Sequence, residues 1–60
     1  MSDLTEKELG MLEDELEREQ NLTRKCRRYA EMCEDPQLKT RCRQLAEQHQ
    51  DHFNSLLGNL

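Results

Sequence analysis

The sequence predicts an all-α protein in which one antiparallel helical hairpin, forming a single domain over residues 1–60, dimerises into a four-helix bundle. Three observations support this prediction. Apolar and small residues recur at spacings of three and four along two long stretches, a proline separates the stretches, and only 33% of the 60 residues are hydrophobic. A chain this small and this polar has little apolar surface for a core of its own, so we expect it to associate.

The first helix is predicted from about residue 5 to residue 33. Thr5 can cap its N-terminus, and Glu8, three residues later, completes the pattern of a capping box. From there one helix face continues without a break and forms a seam. The seam positions of this helix are Leu9, Leu12, Leu16, Glu19, Thr23, Cys26, Ala30 and Cys33.

A turn is predicted at residues 34–36, and a second helix from about residue 36 to residue 57. Pro36 disfavours helical geometry at Asp35 and suits the first turn of a helix, while the Asp35 carboxylate can cap that helix. A connection this short forces the two helices to lie antiparallel. The second seam is predicted to comprise Leu38, Cys42, Leu45, His49, His52 and Leu56, with Phe53 and Leu57 widening it.

Glu19, His49 and His52 interrupt this seam with ionisable side chains. Both helices rise 1.5 Å per residue, so positions whose numbers add up to about 71 are expected at the same height. Glu19 then faces His52, and His49 lies one turn away. Because an unpaired buried charge is costly, two interpretations stay open: a hydrogen-bonded polar layer that fixes the register, or a divalent metal site.

The metal interpretation rests on ligand chemistry. Imidazole nitrogen and carboxylate oxygen together suit borderline divalent ions, so Fe, Mn or Zn is expected at Glu19, His49 and His52 if an ion is bound. A two-fold dimer would double this set around one axis.

Several short stretches resemble one helical hairpin of the ferritin-like superfamily. They are Glu19-Gln20-Asn21, Tyr29-Ala30-Glu31, the segment from Asp35 to Lys39 and the segment from Leu45 to Phe53. The pattern is most similar to the small coat F-type spore coat proteins of endospore-forming bacteria, and to half of a rubrerythrin-like bundle, over about residues 4–57. The resemblance implies a bacterial structural protein with spore coat components as partners.

The metal-binding members of that superfamily take one glutamate from the first helix and a Glu-x-x-His pair from the second. By this resemblance Glu19 matches the first glutamate and His52 the histidine, while His49 stands in place of the second glutamate. An imidazole bridges two cations poorly, so this departure from the family pattern argues against a di-iron oxidase centre. The alternative function is a metal-binding or metal-redox protein with its site at the dimer core.

Other functional classes find no support in the residues. The sequence contains no nucleophile beside a base, no glycine-rich phosphate loop and no paired catalytic carboxylates, so we do not expect an enzyme. Residues 1–20 hold eight acidic and two basic residues, whereas residues 21–43 hold seven basic and three acidic ones. The net charge of −4 and the scarcity of aromatics argue against nucleic-acid binding, and no stretch is apolar enough to predict a membrane span.

The cysteines are predicted to act as small core side chains. Cys26, Cys33 and Cys42 all lie on the seam, where a free thiol behaves as a small hydrophobe. Their odd number and the lack of a secretory signal predict a reducing cytoplasm. Cys33 and Cys42 flank the turn and are expected to approach within disulfide range under oxidising conditions.

Overall fold

A computed structural model of the chain describes residues 4–60, so the first three residues of the predicted 1–60 domain lie outside the described residues. Helix α1 spans Glu6–Met32 and helix α2 spans Pro36–Leu57. The two helices pack against each other as a hairpin, and the described part of the chain contains no strand. The predicted all-α hairpin is confirmed. Within residues 4–60 neither helix combines the length and the apolar character that crossing a membrane demands.

The N-terminus of α1 carries the predicted capping box. The Glu8 amide donates to Thr5 Oγ1 at 3.1 Å, and the Thr5 amide donates to Glu8 Oε1 at 3.2 Å. The hydrogen bonds from the Thr5 backbone and side chain hold the pKa of Glu8 below its ordinary value. A lowered carboxyl pKa stabilises the fold at neutral pH, and this contribution is lost as the pH falls through the lowered value.

The turn between the helices occupies only residues 33–35. Cys33 ends α1 in an extended conformation, and its amide donates to the Tyr29 carbonyl at 2.9 Å. Asp35 begins α2 as its N-cap, where Oδ1 accepts from the Gln37 amide at 2.9 Å. The turn therefore lies one residue earlier than the predicted 34–36, because Pro36 is already the first helical residue.

The contact between the helices is narrow. Ala30 and Ala46 are the buried apolar side chains of the described residues, each 4% exposed, and no large side chain among them is fully buried. Small side chains at these two positions let the helix backbones approach closely. The resulting hairpin measures 46 × 14 × 10 Å and is one layer thick.

The stripe of α2 that faces α1 is rotated from the predicted seam. Ala46 is buried and Phe53 half-buried, whereas Leu38 and Leu45 of the predicted seam are 52% and 36% exposed. Cys42, His49 and Leu56 of the predicted seam are half-buried, as is Phe53, which was predicted to widen it. Ala46 and Phe53 each follow a predicted seam position by one residue, so the buried stripe turns only partway round the helix. The predicted seam is thus only partly covered by α1, and its remaining side faces solvent.

The N-cap of α2 gives the first testable prediction. Asp35→Ala removes the carboxylate that accepts from the first turn of α2, so we expect a loss of about 1 kcal/mol in the free energy of unfolding. Urea denaturation followed by circular dichroism measures this loss. The control is Asp51→Ala, which removes an exposed aspartate inside the same helix and should change stability by less than about 0.5 kcal/mol. Equal effects of the two substitutions would contradict the capping role.

Candidate metal centre

Glu19 is the ionisable residue at the centre of the helix contact. It lies midway along α1, and the residue is only 7% exposed. Its Oε2 lies 2.7 Å from Nδ1 of His49, and its Oε1 lies 3.7 Å from Nδ1 of His52. The short contact is a hydrogen bond, in which His49 Nδ1 donates when the carboxylate is ionised.

Helix α2 supplies both imidazoles from one face. His49 and His52 are three residues apart, which places their rings side by side on the helix surface, with centroids 6.3 Å apart in an edge-to-face arrangement. The side chain of His49 is 24% exposed and that of His52 is 67% exposed. The cluster therefore runs from the buried carboxylate of Glu19 to an imidazole at the solvent boundary.

The backbone around Glu19 is also satisfied. Thr23, which is 3% exposed, donates its hydroxyl to the Glu19 carbonyl at 2.8 Å. Among the described residues, no buried side-chain nitrogen or oxygen lacks a hydrogen-bond partner. These hydrogen bonds offset the free-energy cost of burying the Glu19 carboxylate and the Thr23 hydroxyl in the helix contact.

The same three side chains can hold a divalent cation. Each offers one ligand atom, and these atoms lie within 4.8 Å of one another. Two imidazoles and one carboxylate form the three-ligand set of zinc sites that keep a fourth position open. An ion bound through His49 Nδ1 would take the place of the proton there, and its binding would then compete with the Glu19–His49 hydrogen bond.

A cleft connects the cluster with solvent on one side of the hairpin. Beside Glu19 and His52 it is lined by Glu15, Ser55 and Leu56. Glu15 adds a second carboxylate near the entrance, a residue that sequence reasoning did not single out. The sequence could have indicated Glu15 by its position four residues before Glu19, which places both carboxylates on the same side of the helix.

The structure brings together all three residues predicted as metal ligands, with one correction. The nearer partner of Glu19 is His49, whereas the sequence predicted that Glu19 faces His52. The reason is the turn: its centre is residue 34, so positions at equal height add up to about 68. Glu19 and His49 meet this condition.

No protein-family model, curated protein or solved structure matches this chain. Membership of the ferritin-like superfamily and similarity to coat F-type proteins therefore stay predictions from the residues. Function is therefore inferred from the geometry of the hairpin and of its Glu-His-His cluster.

The two histidines should differ in their effect on stability. His49→Ala leaves the buried Glu19 carboxylate without its short hydrogen bond, so we expect a loss of about 1–3 kcal/mol in the free energy of unfolding. His52→Ala removes a more exposed and more distant imidazole, so we expect a smaller loss than for His49→Ala. Urea denaturation at one fixed protein concentration measures both. A larger loss for His52→Ala would show that the hydrogen bond to His49 does not support the fold.

Proposed function

We propose that this chain is a small assembly protein whose hairpins pair as a homodimer and form a four-helix bundle. The observation that carries this proposal is an exposed, largely apolar surface along one side of the hairpin, here called the open face. The open face comprises Glu15, Leu22 and Tyr29 of α1 and Leu38, Leu45 and His52 of α2.

Helix geometry supports the continuity of the open face. Its members recur every seven residues on each helix, which keeps them on one side of the helix contact. Glu15 and His52 line the same cleft, so the two rows belong to the same side of the hairpin. Tyr29 is 46% exposed, Leu38 52% and Leu45 36%. A second layer of helices would remove these side chains from water.

The charge distribution favours a second copy of this chain as the partner. The turn end of the hairpin, residues 21–43, has seven basic and three acidic residues, whereas residues 1–20 have eight acidic and two basic ones. A two-fold axis perpendicular to the helices would lay the turn end of one hairpin beside the acidic end of the other. The two copies would then be electrostatically complementary along their full length.

The position of Glu19 fits the same two-fold axis. Glu19 is the central residue of α1, which spans Glu6–Met32. An axis at this height would bring two Glu-His-His clusters together at the centre of the bundle. The dimer contact would bury His52, which the single hairpin leaves 67% exposed.

The resemblance to coat F-type proteins supports a spore coat as the larger assembly in which such a dimer would take part. In this proposal the hairpin is a structural component, and other coat proteins are its further partners.

The dimer is testable by substitution within α2. Leu45→Glu places a charge on the open face, and we expect it to weaken dimerisation at least tenfold, which corresponds to about 1.4 kcal/mol. Leu57→Glu is the control, since Leu57 is a similarly exposed leucine, 43%, outside the open face. Sedimentation equilibrium measures both constants. A folded wild-type monomer at micromolar concentration, or equal effects of the two variants, would sink the proposal.

Divalent metal binding is the second candidate function. The observation that favours it is the convergence of a buried carboxylate with two imidazoles within 4.8 Å. Glu19, His49 and His52 would be the ligands, and Fe, Mn or Zn the ion. In the proposed dimer the two clusters would meet, and a bound cation would neutralise carboxylates that the contact removes from water.

Calorimetric titration with ZnCl₂, MnCl₂ and FeCl₂ under anaerobic conditions tests the metal site. We expect binding that weakens at least tenfold in Glu19→Gln and falls on acidification, because the imidazole ligands must be neutral. Glu17→Gln, an exposed carboxylate on the same helix, is the matched control and should bind as the parent does. If the parent binds none of these ions, the metal proposal is wrong and the cluster serves only as a polar layer that fixes the register.

A further inference from the structure

The cleft beside the Glu-His-His cluster contains a carboxylate that the cluster itself does not use. Among residues 4–60, Glu15 and Glu19 are the acidic residues that are at least half-buried, and both line this cleft. Glu19 is hydrogen-bonded to His49, whereas the side chain of Glu15 makes an ion pair with Arg18 at 3.9 Å. Because Arg18 is 71% exposed and the distance is long, this pair contributes little. The Glu15 carboxylate is therefore available to a molecule in the cleft.

The cleft connects Glu15 with the place where a cation would bind. Two of the three proposed ligands, Glu19 and His52, line its walls together with Glu15. Its volume is about 240 Å³, which is room for several water molecules. A cation held by three protein ligands keeps a fourth position open. A small molecule that enters this position through the cleft would have the Glu15 carboxylate beside it.

Glu15 lies outside the set of direct ligands. The ligand atoms of Glu19, His49 and His52 lie within 4.8 Å of one another, and Glu15 is not a member of this set. Four residues separate Glu15 from Glu19, which is about 6 Å along the axis of α1. One water molecule can span such a gap if it binds the ion through its oxygen and donates a hydrogen bond to the carboxylate.

The balance of charge favours the same arrangement. Two neutral imidazoles and one carboxylate leave one positive charge of a divalent cation uncompensated. The Glu15 carboxylate balances that charge in a partly buried cleft, where an uncompensated charge is costly. The same carboxylate repels any further anion that approaches the open position.

We propose that Glu15 accepts a hydrogen bond from a water molecule in the fourth coordination position, and that its charge keeps small anions out of this position. Glu15 is thus a positioning residue, and it restricts the open position to water and other neutral ligands. Ser55 lines the same cleft and offers its hydroxyl as a further partner of that water. This inference rests on the proposed metal binding and needs no second copy of the chain.

Cobalt(II) tests the role of Glu15 in the full chain, since its visible absorption bands depend on its coordination. The parent, Glu15→Gln and Glu17→Gln are titrated with CoCl₂ under anaerobic conditions, and the signal that is lost in Glu19→Gln is assigned to the cluster. We expect Glu15→Gln to bind Co²⁺ about tenfold more weakly than the parent, with an unchanged band shape. Glu17→Gln removes the same charge from an exposed position of α1 and should bind Co²⁺ as the parent does.

Sodium azide, added to the cobalt-loaded proteins, tests the exclusion of anions. We expect azide to bind Glu15→Gln on the order of fivefold more tightly than the parent or Glu17→Gln, because the repelling charge is gone. Structural damage would weaken the binding of cobalt and azide together, so effects of opposite sign identify an effect of charge. The same ratio is expected when the titrations are repeated with Leu45→Glu as the background, in which a second hairpin does not cover the cleft.

The outcomes separate this inference from the metal site on which it rests. A parent that binds no Co²⁺ contradicts the proposed metal binding, and the inference with it. A parent that binds Co²⁺ but has the same azide affinity as Glu15→Gln in both backgrounds overturns the role of Glu15 alone. An altered band shape in Glu15→Gln would identify Glu15 as a direct ligand and would overturn the arrangement through water.

Discussion

Two helices that touch along a single line can cover only one stripe of each other, and the rest of this hairpin follows from that limit. Ala30 and Ala46 are the buried apolar side chains of the described residues, and no large one among them is fully buried. Burial of this extent offsets little of the conformational entropy lost on folding. The hairpin therefore depends strongly on local interactions at its helix ends. Leucines on its open side remain available for a further layer.

Within that narrow stripe, Glu19 links the two helices through a specific polar interaction. A carboxylate at 7% exposure is tolerated because His49 lies 2.7 Å from it, and this pairing also distinguishes one register from its neighbours. A cation bound through His49 Nδ1 would replace the hydrogen bond between His49 and Glu19, so the ion and the hydrogen bond cannot be present at the same time. A bound cation would take over the structural role of the hydrogen bond as well as its position.

The sequence predicted best the structural features that a few neighbouring residues determine, which are the starts of the two helices. Thr5 with Glu8, and Asp35 with Pro36, form complete local signals, and both helices begin where these signals place them. The register was harder, because the sum of opposing positions changes by twice any shift in the centre of the turn, and here it changed from about 71 to about 68. That error exchanged His49 and His52 as the nearest partner of Glu19. The rotation of α2 was not predictable from the spacing of its apolar residues. Residues three and four positions apart can face α1 or face a second hairpin, and the spacing is the same in both cases.

Pro36 has a consequence for the alternative states of this sequence. Without a break, the amphipathic pattern from Glu6 to Leu57 could continue as one rod of about 78 Å, in which α2 packs on the α1 of another chain. This is the extended form through which hairpins exchange segments between molecules. Inside such a rod Pro36 would lack its hydrogen bond to the preceding turn and clash with the carbonyl of Met32, at a cost of about 3 kcal/mol. A single pyrrolidine ring thus disfavours segment exchange and keeps each chain folded on itself.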